Sequence, residues 1–392
     1  MTGRRRALGL AVEHGVDDLY QGAVPALVPA LVAVRGWDLT RAGGIVLAAT
    51  VLSSVAQPLF GVLADRRRVP HLRILGMLLA AAGVGAVGLV DSYVATWSAV
   101  LLSGLGVAAY HPEAARAVHL TGTGDRGMGW FTVGGLAGFA VGPAAVGAVV
   151  GGLGLAATPL LALPAAAAAL VGLLPRRRPG PATTSGASAP AVAGTGRDDW
   201  RRFGWLTGVV VTRSVAFYGL SAFLAVHLTM RFGFGPGLAA ATLGIFTGAG
   251  AVATVASSAL TRRWGRTAVL RGSYVAAVPL LAATLLAPSP VLALAATGLL
   301  GAALGVPVPV HTTLGQAYLP GHLGLAASVT LGLAVSAGGL ASPALGALAD
   351  HRGTTLALAV LIAGPALAAL LTLPLTDRPE PEQPERTGPS RA

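Results

Sequence analysis

The stretch Ala7-Leu-Gly-Leu-Ala-Val-Glu13-His14-Gly-Val-Asp17-Asp18-Leu-Tyr-Gln21-Gly-Ala-Val-Pro-Ala-Leu-Val-Pro-Ala-Leu-Val-Ala-Val34 decides the fold. It is long enough to cross a bilayer as a helix, which takes about 20 mostly apolar residues. A secretory leader would not carry four ionisable groups in its apolar core, so despite Arg4-Arg5-Arg6 ahead of it the segment reads as a retained first helix. Glu13 and Asp17 are one turn apart, as are His14 and Asp18, and Gln21 continues from Asp17, so the sequence predicts one polar stripe on an apolar rod.

Comparable apolar runs recur along the chain. Twelve spans are expected, at 7–34, 41–63, 73–90, 94–117, 128–150, 153–174, 203–230, 238–260, 268–287, 291–317, 323–348 and 354–375. Composition agrees: of 392 residues, 54% are hydrophobic and 11% charged. The solvent of this chain is lipid. Its net charge of +12 would suggest nucleic acid in a soluble domain, but the arginines sit in short clusters between apolar runs, without interleaved aromatics. The absence of cysteine excludes disulfides, thiolate nucleophiles and cysteine-bound metals.

The arginines also set orientation. With both termini inside, Arg4 to Arg6, Arg66 to Arg68, Arg73, Arg116, Arg126, Arg176 to Arg178, Arg197, Arg201, Arg202, Arg262, Arg263, Arg266, Arg271, Arg378, Arg386 and Arg391 all fall on the cytoplasmic side. Only Arg35, Arg41, Arg231 and Arg352 fall outside, and Arg213 lies within the membrane. This is the positive-inside pattern of an N-in, C-in protein.

The chain repeats itself. Asp17 and Arg213, like Arg35 and Arg231, are 196 positions apart; His111 and His311, Gly138 and Gly338, and Pro143 and Pro343 are 200 apart. A near-constant offset argues for two parallel six-helix halves. The expected organisation is an N-terminal half at 1–174, a Pro/Gly/Ser-rich linker at 175–202, a C-terminal half at 203–375 and a proline-rich, disordered cytoplasmic tail at 376–392. The fold class is all-α membrane protein with twelve helices in two pseudo-symmetric halves.

Ionisable groups inside a membrane cost about 2.5–3.5 kcal/mol each and are functional candidates by default. Here they are Glu13, His14, Asp17 and Asp18 on span one, His111, Glu113 and Arg116 on span four, Arg213 and His227 on span seven, and His311 on span ten. Each is the first helix of a three-helix group, a placement that lets four helices share one cavity. Three carboxylates within two turns cannot all ionise comfortably, so proton binding is expected; the alternative is an ion-pair network holding helices together. Glu113 and Arg116 are spaced to pair, and Pro112 beside His111 can kink the helix. Arg213 needs an anion, either the span-one carboxylates or an acidic substrate. His227 is expected in a bland polar contact, and His311 in either gating or packing.

Gly61-Val-Leu-Ala-Asp65-Arg66 resembles the signature of the major facilitator superfamily between its second and third helices. Gly138-Phe-Ala-Val-Gly142-Pro143 is similar to that family's antiporter-associated motif in helix five, and Arg262-Arg263-Trp264-Gly265-Arg266 to a second copy of the loop signature, with an arginine where aspartate is usual. His14-Gly-Val-Asp17-Asp18 and Tyr110-His111-Pro112-Glu113 resemble motifs of the fosmidomycin-resistance branch, which typically has asparagine where Asp17 stands. The resemblance implies alternating access and proton-coupled export of small antibiotics, an anionic phosphonate among them. On that reading Asp17, Asp18, Glu113, Glu13 and His14 couple protons. Arg213, Arg116, His111, His311, Gln21 and Tyr110 contact substrate. Gly61, Asp65, Arg66, Gly138, Gly142 and Pro143 serve gating. The partners are a small solute, protons and the lipid of the cell membrane, with no nucleic acid, cofactor or resident metal, in a protein that acts as a monomer. Uptake of a sugar or organic acid is the alternative. An intramembrane metal enzyme using His14, Asp17, His111 and Glu113 is remote, since neither HExxH nor repeated histidine boxes occur.

Overall fold

The computed structural model describes residues 3–66, 71–173 and 197–377. Among them no strand occurs. The helices are α1 (Gly3–Arg35), α2 (Leu39–Arg66), α3 (Leu72–Ala86), α4 (Tyr93–His119), α5 (Gly124–Leu153), α6 (Leu163–Leu173), α7 (Trp200–Phe232) and α8 (Pro236–Trp264). They continue as α9 (Arg266–Leu286), α10 (Pro290–Gly305), α11 (Pro307–Tyr318), α12 (Leu323–Ala327), α13 (Ala334–Arg352), α14 (Thr354–Val360) and α15 (Ala363–Leu371). Nine helical stretches among the described residues are long and apolar enough to cross a membrane. Most of the expected linker and tail lies outside the described residues.

Proline explains where the helical rods depart from the expected unbroken spans. The sixth begins as a 3-10 turn, Leu155–Ala162, around Pro159. The tenth breaks between Gly305 and Pro307, because Pro307 and Pro309 lack the N–H groups that would bond to the fourth residue before each. Polar side chains bond to carbonyls at the break: Thr254 donates to Gly305 O, which Pro309 leaves free, at 3.0 Å, and Ser257 to Val306 O at 2.8 Å. In the last rod, Pro365 follows the break between α14 and α15. The eleventh contains a π segment, Ser328–Leu333, that no sequence signal announced.

Two large buried clusters form the core. One is built mainly from residues between Leu10 and Ala169, the other mainly from residues between Phe203 and Leu375. The offset pairs of the sequence have matching jobs. The Arg35 guanidinium donates to Val87 O at 2.6 Å and to Val90 O, beyond the end of α3. Arg231 donates to Ala287 O at 2.9 Å and to Leu285 O, at the end of α9. Both satisfy carbonyls that a helix end leaves without internal partners. Arg231→Ala is expected to destabilise the protein by about 1.5–3 kcal/mol, the usual worth of hydrogen bonds from a charged donor, read as a lower melting temperature in detergent.

Glycine sets how closely helices approach. A Cβ placed on Gly138 would lie 1.8 Å from Gly15 O, and one on Gly142 2.4 Å from Leu19 O, so α1 and α5 touch backbone to backbone. Between the two clusters, α2 packs on α13 and α5 on α8. A Cβ on Gly43 would lie 2.4 Å from Ser342 O and one on Gly346 2.1 Å from Leu39 O. Along α5 and α8 the spacing widens away from that end: a Cβ on Gly147 meets Ala240 at 2.9 Å, whereas one on Gly248 is 4.0 Å from Ala140. The mouth where α1 ends and α2 begins is therefore closed.

The start of α7 is tied to the α11–α12 turn. Asp198 accepts the Gly321 N–H at 2.9 Å and faces His322 at 2.7 Å. That backbone donor, with the ring beside it, holds the Asp198 carboxyl below the ordinary aspartate range.

Candidate functional site

Three side chains from α1 and α4 meet inside the first cluster. The Asp18 carboxylate lies 3.2 Å from His14 Nε2 through one oxygen and 3.3 Å from His111 Nε2 through the other. The two Nε2 atoms are 3.2 Å apart. His14 Nδ1 is 2.7 Å from the Phe131 carbonyl and His111 Nδ1 is 2.9 Å from the Val107 carbonyl. A carbonyl only accepts, so both Nδ1 atoms carry hydrogen and the neutral rings present two lone pairs to each other. Such lone pairs repel unless something positive lies between them. A shared proton meets that need, and the donor atoms, all within 4.8 Å of one another, are also close enough for a small cation.

The surroundings fix these groups. Phe131 stacks on the His14 ring at 3.8 Å between centroids. Gln21 donates from Nε2 to Asp18 Oδ1 at 2.7 Å. Gly135 leaves room for the cluster, since a Cβ there would lie 2.4 Å from His14 Cε1 and 2.5 Å from Asp18 Oδ2. Asp17 is fully buried, and neither carboxyl oxygen has a hydrogen-bond partner among the described residues; His111 Nδ1 is 3.7 Å away. Tyr110, also fully buried, backs His14 at 6.0 Å between ring centroids.

The single stripe expected on α1 divides. Side chains four apart drift by about 40° per step and neighbours differ by about 100°, so the series cannot face one partner throughout. Glu13 turns to Arg73 of α3 and pairs with it, away from the cluster. Glu113 and Arg116 pair with each other at 3.4 Å on α4, as their spacing suggested. The backbone of Gly61, Asp65 and Arg66 is helical, and their side chains lie outside those described. Gly138 and Gly142 are at the α1–α5 contact, whereas Pro143 faces Gly244 of α8.

Arg213 does not pair with the span-one carboxylates. Its Nε–H donates to Leu304 O at 2.9 Å, a carbonyl in the last turn of α10, and its guanidinium lies 4.9 Å from the Phe217 ring centroid. Tyr218 and Tyr274 are within its electrostatic reach. His311 is buried and 2.7 Å from the Tyr274 hydroxyl, which favours packing over exposure to a solute. His227 meets Thr354 at 2.9 Å, the bland contact expected of it. Gln21, Thr50, Phe139, Tyr218 and Ser221 line a cavity of about 20 Å³ between α1, α2, α5 and α7. Sequence reasoning missed Arg73 as the partner of Glu13, Phe131 as the clamp on His14, and Leu304 O and Phe217 as the neighbours of Arg213. Nothing in their local sequence separates them from ordinary helix residues.

Known proteins identify the fold and the family. Residues 19–343 match the Major Facilitator Superfamily. The chain is 26% identical over 393 residues to the uncharacterized MFS-type transporter YfnC of Bacillus subtilis, covering 94% of this chain and 92% of that one. It is 26% identical over 384 residues to the fosmidomycin resistance protein of Escherichia coli, with the same coverage. Among solved structures it resembles the nucleoside transporter NupG, with a TM-score of 0.71 at 14% identity over 93% of this chain and 98% of that one. It also resembles a bacterial homologue of the human lysosomal transporter Spinster in an inward-facing, occupied conformation, with a TM-score of 0.71 at 14% identity over 93% and 95% of the two chains. With helices alone among the described residues and this match across most of its length, the chain belongs to the Major Facilitator Superfamily, and like the relatives just named it is a membrane transporter and not an enzyme.

Proposed function

We propose that the protein is a proton-coupled exporter of a small anionic or polar compound, working by alternating access as a monomer in the cell membrane. Its helices make twelve spans in two halves, 1–174 and 203–375, joined by a cytoplasmic linker, with both termini inside. The arginine distribution, the constant offsets and the two buried clusters support that arrangement.

The observation that carries the coupling is the Asp18 carboxylate held between two histidine Nε2 atoms 3.2 Å apart. One proton there turns a repulsive contact into a hydrogen bond, and its loss weakens the hold of α1 on α4. Asp17 is a second seat: a fully buried carboxyl without a hydrogen-bond donor is best accommodated as the neutral acid. Glu13 with Arg73, and Glu113 with Arg116, are further points for proton entry or exit. Arg213, whose guanidinium lies against Phe217, is assigned the positive charge for an acidic solute, with Gln21 and His111 as further polar contacts. A proton moving down about 100 mV releases about 2.3 kcal/mol, enough for a solute gradient of roughly fiftyfold.

The likeness to the fosmidomycin resistance protein supports export over uptake. Expressed in a drug-sensitive bacterium lacking its own exporter, the protein is expected to raise fosmidomycin resistance and lower cellular accumulation of the drug. Increased accumulation of the drug would reverse the assigned direction.

A further inference from the structure

The chain carries one short pattern at opposite ends of the α2–α13 pair. Gly61-Val-Leu-Ala-Asp65 closes α2 and Gly346-Ala-Leu-Ala-Asp350 closes α13. The structure shows what the second aspartate does. Asp350 Oδ1 accepts the Leu39 N–H at 2.8 Å; Oδ2 accepts the Thr40 N–H at 2.9 Å and the Thr40 hydroxyl at 2.7 Å. Leu39 and Thr40 open α2, where backbone N–H groups have no partner within the helix and the helix dipole favours negative charge.

Such a cap normally comes from the residue just before the helix. Here α2 already has one, since Asp38 Oδ1 accepts the Arg41 N–H at 2.7 Å. Asp350 adds a second cap from the other side of the closed mouth. Gly346, one turn earlier on α13, lets the two backbones meet at Leu39 O. The three hydrogen bonds from Asp350 exist only while α2 and α13 touch.

We propose that Asp350 is the latch of the α1–α2 mouth, closing it in the conformation described and released when that mouth opens. The proposal rests on the alternating-access reading above. A contact made in one state alone shifts the balance between states by its own strength, and this one is exposed enough that water replaces it when the helices part. It therefore biases the mouth towards closure without locking it.

The test reads the mouth directly. The chain has no cysteine, so Val34→Cys on α1 and Leu356→Cys on α14, both exposed, take spin labels without background. Pulsed electron resonance on the purified full chain is expected to give a dominant short distance. Asp350→Ala should raise the ratio of long to short distances roughly fivefold or more, and Thr40→Val by less. Asp38→Ala removes a cap of α2 without touching α13 and should leave the distribution as it was. Asp350→Asn, which keeps one acceptor oxygen, gives the same reading if the alanine variant does not fold. An unchanged distribution in the Asp350 variants, or an equal shift from Asp38→Ala, would overturn the latch. The readout needs no substrate, so failure of the export proposal in transport assays would leave this result standing.

Discussion

Asp18→Asn is expected to cut pH-gradient-driven transport roughly tenfold or more while leaving substrate exchange without a gradient measurable. The carboxylate is the hub of the cluster, receiving Gln21 on one oxygen and facing a histidine on each. Asparagine keeps the shape but offers one acceptor oxygen and no charge. The protonated histidine pair then loses its counter-ion, and hydrogen bonds to charged groups are worth about 1.5–3 kcal/mol, or about ten- to a hundredfold in an equilibrium. Exchange without a gradient needs the alternating helices but not the proton, so it should persist. Asp17→Asn is expected to act in the same direction by removing the second seat. If both variants carried pH-driven flux at the parent rate, the proton role of α1 would be lost.

The second large effect concerns the scaffold. Gly138→Val places a branched side chain where even a Cβ would sit 1.8 Å from the Gly15 carbonyl oxygen. Neither partner is a flexible side chain, so α1 and α5 must separate along their contact. Overpacking ordinarily costs about 1–3 kcal/mol and more where backbone has to move, so a loss of at least about 3 kcal/mol is expected. The separation would also pull His14 and Asp18 away from the Phe131 end of α5. Size-exclusion chromatography and thermal melts in detergent check this: the variant should give little monodisperse protein, whereas a stable variant with parent-like melting would show the contact to be looser than described.

The fold was legible because lipid imposes a long apolar signal on every rod. Boundaries followed closely where nothing but hydrophobicity acts, as in α4 and α9. The interruptions inside the spans at 153–174, 291–317 and 354–375, near Pro159, Pro307 and Pro365, stayed hidden, because an apolar count cannot see a missing N–H. The site was half legible. Spacing brought His14 and Asp18 together on one helix and singled out His111, since ionisable groups in a bilayer are few. It did not reveal that Glu13 leaves for Arg73, because the partner is on another helix and its arginine reads as an orientation signal. Nor did it show that Arg213 rests on Leu304 O, which depends on how α7 packs on α10. The Asp350 contact had a sequence trace in the repeated Gly-x-Leu-Ala-Asp pattern, but its meaning needed the packing of α13 on α2.

Whether a proton gradient moves an acidic solute through this protein is tested most directly by reconstitution into liposomes. The vesicles carry an imposed pH gradient and meet a panel of small acidic, neutral and cationic compounds, fosmidomycin included. The expected result is accumulation of at least one acidic compound that collapses when the gradient is dissipated and falls with Asp18→Asn. Movement of only neutral or cationic compounds, or transport indifferent to the gradient, would contradict proton-coupled movement of an anion.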